Sequence, residues 1–264
     1  MNAREAYRAG DLKGAIAAMN DEVRQHPTDT ARRGFLCELL CFAGELDRAD
    51  RQLDTMGTQD PQSMLGVAVF RHLLRAEQAR QQFHLEGRVP EFLGQPSPVL
   101  QLHLQASIMI REGKLADAAG LLEQAEAQRP RVSGTCDGKP FDDLRDLDDL
   151  TASFFEVLTS NGKYYWIPVN QVEHIEFRAP ERPHDLLWLR VHMIVRDGPD
   201  GEVYLPTLYA GTHTEAEDRY RLGRATDWRG GDGCPMEGFG LRTFLVGDED
   251  RTILSFKEIV INSA

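Results

Sequence analysis

The chain has 264 residues, of which 41% are hydrophobic and 27% charged, a balance typical of a globular protein. No apolar run approaches the ~20 residues that cross a bilayer. Residues 1–5 lack the apolar stretch of a secretory signal, so we expect a cytoplasmic protein. The net charge is −12, and residues 131–264 carry 15 basic and 24 acidic side chains. Nucleic-acid binding needs clustered Lys and Arg, so neither a nucleic acid nor a membrane is an expected partner.

An internal repeat of 34 residues organises the first half. Residues 10–16 (GDLKGAI) recur as residues 44–50 (GELDRAD), and residues 113–119 (GKLADAA) form a third copy 69 positions further on. Helical hairpins with this length and pattern are typical of tetratricopeptide repeats. The sequence therefore predicts a tetratricopeptide-like α-superhelix over residues 1–131.

Each copy has the residue types that a helical hairpin needs. A Gly permits the turn, a small residue in each helix allows close crossing, and a Pro ends the second helix. The glycines are Gly10, Gly44 and Gly113, the small residues are Ala3, Cys37 and Ala106 in the first helices and Ala15, Ala49 and Ala118 in the second, and the prolines are Pro27, Pro61 and Pro130. Residues 62–98 should hold a fourth unit. Only its first helix, Met64 to about Phe83, is predicted, because a loop rich in Pro and Gly replaces the second.

Two cysteines raise the question of a metal site. Cys37 and Cys41 are spaced to share one face of a helix, where they could hold an ion. Both lie in an apolar segment, and no nearby His completes a ligand set. We favour a packing role, because free cysteine is usually buried as a small hydrophobe. We therefore predict no metal and no cofactor.

The periodicity changes after residue 131. Residues 134–140 are rich in turn-forming residues and are predicted to connect two domains. Apolar residues from Phe141 to Ser160 keep helical spacing, so we predict that a helix opens the second domain. Acidic residues are expected on the solvated face of this helix, because EF-hand spacing is absent. They are Asp142, Asp143, Asp146, Asp148 and Asp149.

Six β-strands are predicted after this helix. They cover residues 163–169, 172–177, 186–195, 203–208, 241–246 and 252–261. A turn at residues 196–202 should join the third and fourth in a hairpin, and residues 247–250 should join the last two. The predicted fold class is therefore α+β, with the α-superhelix (residues 1–131) followed by a small antiparallel, barrel-like β-rich domain (residues 140–264).

No motif for phosphate, dinucleotide, zinc or a serine nucleophile occurs. The glycine-rich segment 229–240 is the best candidate for a ligand loop. An enzyme would use Cys234 there as a nucleophile and Asp227 or His213 as a base. We favour the alternative, in which the glycines form an irregular connection and Trp228 covers the core, because no residue completes a triad.

Several motifs resemble the ImpE family, also called TagJ, which are accessory proteins of bacterial type VI secretion. The motifs are residues 90–94 (PEFLG), 162–168 (GKYYWIP), 184–188 (HDLLW), 197–206 (DGPDGEVYLP) with Tyr209, and 222–228 (LGRATDW). With the repeat-like helices, the resemblance covers nearly the whole chain. It implies a cytoplasmic, non-catalytic adapter of a Gram-negative bacterium that binds the N-terminal helix of the small contractile-sheath subunit. It also implies an indirect link to the ClpV-type ATPase that recycles the sheath.

For such an adapter, the concave face of the repeat is the predicted binding site, because a helical-repeat groove can accept a partner helix. The residues predicted to point toward it are Glu38, Cys41, Phe42, His103, Ser107, Ile110 and Arg111. Three alternatives remain: binding of the partner by the β domain, an enzyme or small-ligand binder that uses the glycine-rich loop, and a scaffold whose β domain self-associates. A pocket with perturbed carboxylates in the β domain would favour the enzyme.

Overall fold

The computed structural model of the chain describes residues 1–60 and 64–263. Helices come first and each packs against the next. They are α1 (Ala3–Ala9), α2 (Leu12–Gln25), α3 (Thr30–Phe42), α4 (Leu46–Gln59), α5 (Met64–Glu86), α6 (Pro98–Arg111) and α7 (Leu115–Gln128). Within the described ranges, no helix is long and apolar enough to cross a membrane.

The repeat positions have the predicted conformations. Gly10, Gly44 and Gly113 turn between paired helices with φ of +88°, +72° and +74°, a region that favours glycine. The small residues of all three pairs are fully buried where the helices cross. Pro27 and Pro130 follow the ends of α2 and α7, as predicted. Pro61 lies outside the described residues.

The fourth unit is incomplete, as predicted. Helix α5 extends to Glu86, slightly beyond the predicted end. Residues 87–97, where the second helix of this unit would lie, form no helix. Instead, Glu91 pairs with the sheet: its N–H donates to the carbonyl of Tyr164 at 2.9 Å, and its carbonyl accepts from the N–H of Trp166 at 3.1 Å. The loop therefore covers an edge strand that would otherwise be open.

The C-terminal half is built from short strands. They are β1 (Gly134–Cys136), β2 (Lys139–Phe141), β3 (Leu144–Asp146), β4 (Phe154–Leu158), β5 (Tyr164–Pro168), β6 (Val172–Phe177), β7 (Trp188–Val195), β8 (Asp200–Pro206), β9 (Thr226–Gly231), β10 (Cys234–Gly240), β11 (Thr243–Val246), β12 (Glu249–Thr252) and β13 (Glu258–Ile261). A short helix, α8 (Asp218–Arg221), precedes β9.

These strands form an antiparallel main sheet in the order β2-β1-β13-β6-β7-β8-β4-β5. Strands β12, β11 and β3 form a smaller sheet, and β9 pairs with β10. The α+β prediction is confirmed, although the main sheet is open and not a closed barrel. The hairpin of β7 and β8 is confirmed, whereas the predicted strand 252–261 is divided between β12 and β13.

The helix predicted over residues 141–160 is wrong. This segment forms β3, a 3₁₀ turn (Asp149–Thr151) and β4. All of β4 is buried, including Glu156, and a strand buried on both faces has no alternation that separates it from a helix. Asp148 accepts the N–H of Leu150 at 2.9 Å, a local bond that competes with helix formation. Asp146 and Asp148, expected on a solvated face, are buried.

The connection predicted over residues 134–140 is also part of the sheet. Strands β1 and β2 form a hairpin whose turn residues, Asp137 and Gly138, have φ of +52° and +78°. Positive φ at both positions is typical of a type I′ turn, which suits the twist of a hairpin. Whether the chain divides there into two folding units stays a prediction.

Two apolar cores stabilise the molecule. One lies inside the β-rich half, between the main sheet and the smaller sheet. The other joins the helices to side chains of the β-rich half, including Phe154, Trp166 and Trp188. Trp166, for example, stacks on Phe154 with ring centroids 3.9 Å apart and meets Phe83 of α5 edge-on at 4.8 Å. This second core therefore contains side chains of both halves.

Candidate partner-binding cleft

The C-terminal half packs against the face of the helices on which the groove was predicted. Of the seven residues predicted to bind a partner there, five are buried: Glu38, Cys41, Phe42, His103 and Ser107. Ile110 and Arg111 are half-buried. The predicted register is supported, because these side chains do face inward. Their role in binding stays a prediction, and it would require the two halves to separate.

Individual contacts show how this face is filled. Glu38 Oε1 lies 2.7 Å from His184 Nδ1, and His103 Nε2 lies 2.7 Å from Ser153 Oγ. Burial lowers the pKa of His103 to about 4, so its ring is neutral at physiological pH. Arg111 Nη1 donates to the carbonyl of Phe83 at 3.1 Å. These groups have partners within the chain.

The motifs that carry the family resemblance join the two halves. In the HDLLW motif, His184 contacts Glu38, and Trp188 Nε1 donates to Glu77 Oε2 at 3.2 Å. In the LGRATDW motif, Arg224 donates to the carbonyls of Arg8 and Tyr7 at 3.0 and 2.6 Å, at the C-terminus of α1. His184, Trp188 and Arg224 of these motifs therefore hold the helices and the C-terminal half together.

A buried ionic cluster lies at the centre of this interface. Glu156 of β4 is fully buried and contacts both Arg80 of α5, at 2.9 Å, and Arg242. Tyr164 donates to the same carboxylate, and His84 Nε2 lies 3.2 Å from it. Burial alone would raise the pKa of Glu156, but the two guanidinium groups hold it well below its ordinary value.

A cleft of about 490 Å³ opens beside this cluster, between the ends of α5, α6 and α7 and the hairpin of β9 and β10. Buried charged groups, including Arg80, Glu156 and Arg242, lie at its floor. Exposed apolar side chains lie at its mouth (Leu85, Leu115 and Met236), and Ile110 and Leu150 line it further inward. Of the seven predicted groove residues, Ile110 lines this cleft. The sequence also singled out the glycine-rich segment, Cys234 and His213, which line it, whereas no sequence pattern indicated Leu85 or Leu115.

The glycine-rich segment forms one wall of the cleft. Its interpretation as an irregular connection is wrong, because it is the hairpin of β9 and β10. A Cβ atom on Gly230 would lie 1.9 Å from the carbonyl oxygen of Pro235, so only glycine fits there. Trp228 is half-buried and meets Tyr209 edge-on, with ring centroids 5.6 Å apart.

Two adjacent carboxylates hold this hairpin in place. Asp148 Oδ2 accepts the N–H of Gly238 at 2.9 Å, and Asp149 Oδ2 accepts the N–H of Met236 at 2.7 Å. Burial and the neighbouring carboxylate of Asp146 raise the pKa of Asp148 to about 8. The wall of the cleft is thus fixed to the 3₁₀ turn before β4.

The three candidate catalytic residues are not assembled into a site. Asp227 is exposed on β9, where it accepts from Tyr220 at 3.2 Å, and it does not line the cleft. Cys234 and His213 do line it, but among the described residues no hydrogen bond joins them. His213 packs on the turn at Gly44, so closely that a Cβ atom added to Gly44 would lie 2.3 Å from the His213 ring. A nucleophile needs a base within hydrogen-bond reach, which this arrangement does not provide.

The paired cysteines of α3 are packed in the core. Both are buried, and Cys37 Sγ donates to the carbonyl of Ala49 at 3.7 Å. Burial raises the pKa of Cys37 to about 12, so its thiol is protonated. No cluster of three or more His, Cys, Asp or Glu side chains suited to a metal ion occurs in residues 1–60 and 64–263.

The fold and the cleft define a class: helical-repeat proteins whose concave face carries a β-rich C-terminal half. Residues 138–260 match the family described as ImpE protein. The chain is 32% identical over 259 residues to the type VI secretion system accessory component TagJ of Pseudomonas aeruginosa, which covers 98% of this chain and 90% of that protein. The crystal structure of protein VPA1032 from Vibrio parahaemolyticus matches it with a TM-score of 0.92 and 25% identity, over 99% of this chain and 98% of that one. The chain belongs to the ImpE family, as its motifs indicated.

Proposed function

We propose that this chain is a non-enzymatic accessory component of a type VI secretion system that binds the N-terminal helix of the small contractile-sheath subunit. The relative from Pseudomonas aeruginosa is named as such an accessory component. The observation that carries the proposal is an open cleft with an apolar mouth, a surface suited to a partner helix. The protein acts in the cytoplasm, and its link to the ClpV-type ATPase is indirect, through the sheath.

The enzyme alternative has one observation in its favour. The cleft contains carboxylates with perturbed pKa values, Glu156 and Asp148, which is a feature of catalytic sites. Both carboxylates, however, are already occupied: Glu156 by two arginines, Tyr164 and His84, and Asp148 by two backbone N–H groups. A general base needs a free acceptor facing the substrate. The binding function is therefore the better supported of the two.

A binding measurement with the purified sheath subunit tests this proposal. Titration calorimetry should detect a complex with the intact subunit and none with a subunit that lacks its first helix. A synthetic peptide of that helix should compete with the intact subunit, which controls for misfolding of the shortened one. The proposal fails if the intact subunit and the peptide both leave the chain unbound.

A further inference from the structure

The mouth of the cleft presents an apolar surface to solvent. Leu85 at the end of α5 is 73% exposed, Leu115 at the start of α7 is 41% exposed, and Met236 on β10 is 36% exposed. Ile110, which is half-buried, and Leu150, which is buried, continue this surface inward. Exposed apolar side chains that converge from three elements are typical of an interaction surface, unlike single ones scattered over a protein.

The strand that forms one wall of the cleft is closed to a further strand. Three N–H groups of β10 that do not pair with β9 already donate to side-chain oxygens: Met236 to Asp149 at 2.7 Å, Gly238 to Asp148 at 2.9 Å, and Gly240 to Thr212 at 2.9 Å. An extended peptide adds to a sheet edge through such groups, so strand addition is blocked here. An α-helix satisfies its own backbone and needs none of them.

The charge at the mouth favours a basic partner. Arg229 is paired with Glu215 at 2.7 Å. Glu237, its neighbour across the hairpin, is exposed, lines the cleft and has no ion pair in the described part of the chain. The whole chain carries a net charge of −12. A free carboxylate in an acidic protein attracts Lys or Arg from a partner and speeds association.

On the basis of the proposed function, we infer that the sheath helix docks in this cleft as an amphipathic helix whose apolar stripe covers Leu85, Leu115 and Met236. A Lys or Arg beside that stripe pairs with Glu237. Side chains spaced three and four residues apart form such a stripe on one face of a helix. The bound helix then contacts both the helical layer and the glycine-rich hairpin, and the concave face can remain filled.

Substitutions at the mouth test the location. A fluorescent peptide of the sheath helix should bind the L85E and L115E variants at least tenfold more weakly, because apolar anchors supply most of the energy of such interfaces. The matched control is I108E, since Ile108 is 43% exposed on α6 and does not line the cleft. The I108E variant should bind the peptide with an affinity within twofold of that of the unchanged chain. E237Q should bind two- to fivefold more weakly and depend less on salt.

Cys234 offers an independent readout that needs no substitution. It lines the cleft and is partly exposed, whereas the other three cysteines are buried. The bound peptide should slow alkylation of Cys234 by iodoacetamide at least fivefold, and L85E should abolish this protection. Circular dichroism of the complex should show added helix.

The outcomes separate the two proposals. If the unchanged chain does not bind the peptide, the proposed function fails. If it binds, but L85E and L115E keep its affinity and Cys234 stays unprotected, the cleft is not the site and the proposed function survives. A strand signal from the bound peptide would also overturn the location.

Discussion

Replacing Glu156 by Gln should strongly destabilise the protein. The substitution preserves the shape of the side chain but leaves Arg80 and Arg242, both almost fully buried, without their shared counter-charge. Breaking a buried ion pair by removal of one partner costs about 3–5 kcal/mol, because the remaining charge stays desolvated. For a chain of this size, each kcal/mol lowers Tm by about 2–4 °C, so Tm should fall by roughly 6–20 °C.

Thermal unfolding followed by circular dichroism measures this effect, with E176Q as the control. Glu176 also pairs with an arginine, Arg178, but lies on the surface, where such a pair contributes about 0–1 kcal/mol. The pKa of Glu156 is lowered in the folded state, so its contribution is present above the unfolded pKa and is lost as pH falls through the folded value. The difference between the chain and E156Q should therefore shrink in acid. A Tm for E156Q within 2 °C of the unchanged chain would refute this reasoning.

Three further predictions use other parts of the molecule. A49L should lower the free energy of unfolding, measured by urea titration, by about 1–3 kcal/mol, because a larger side chain overpacks the helix crossing. The control A127L, at an exposed position of α7, should not lower it, and equal stabilities of the two variants would contradict the repeat register. Asp148 should titrate near pH 8 in carbon-detected NMR, and a midpoint below pH 5 would contradict the burial argument. Because its pKa is raised in the folded state, its own contribution to stability should decline as pH rises from about 4 to 8. Ellman's reagent should modify Cys234 in the native protein and the buried Cys37, Cys41 and Cys136 only on unfolding, so rapid reaction of all four thiols would contradict the packing described.

Local features explain what the sequence could predict. The turns at Gly10, Gly44 and Gly113 and the buried alanines of the crossings depend on residues close in the chain, and the repeat made them visible. The residue patterns of β6 and β7 likewise predicted strands. Strand β4 was not predicted, because it is buried along its whole length, and the apolar residues around Glu156 are compatible with a helix as well as a buried strand.

The candidate site depended on contacts that no local pattern records. Helical periodicity correctly indicated that Phe42 and His103 face inward, but it could not indicate what covers them. The partner of Glu38 is His184, 146 positions away. The cleft likewise joins Leu85, Leu115 and Met236 from three separate elements. Such a surface appears only when the sheet is placed on the helices.

The shared core has a consequence for how the protein is made. The inner helical face is covered by side chains that extend from Leu150 to Leu222, so it remains open after the helices leave the ribosome. At about 5–20 residues per second, the roughly 90 residues after Arg131 take about 5–20 s to synthesise. During this interval the nascent helices expose apolar surface that invites aggregation or chaperone binding. Translation that stops before Leu222 should therefore yield an insoluble product, even though every helix is complete.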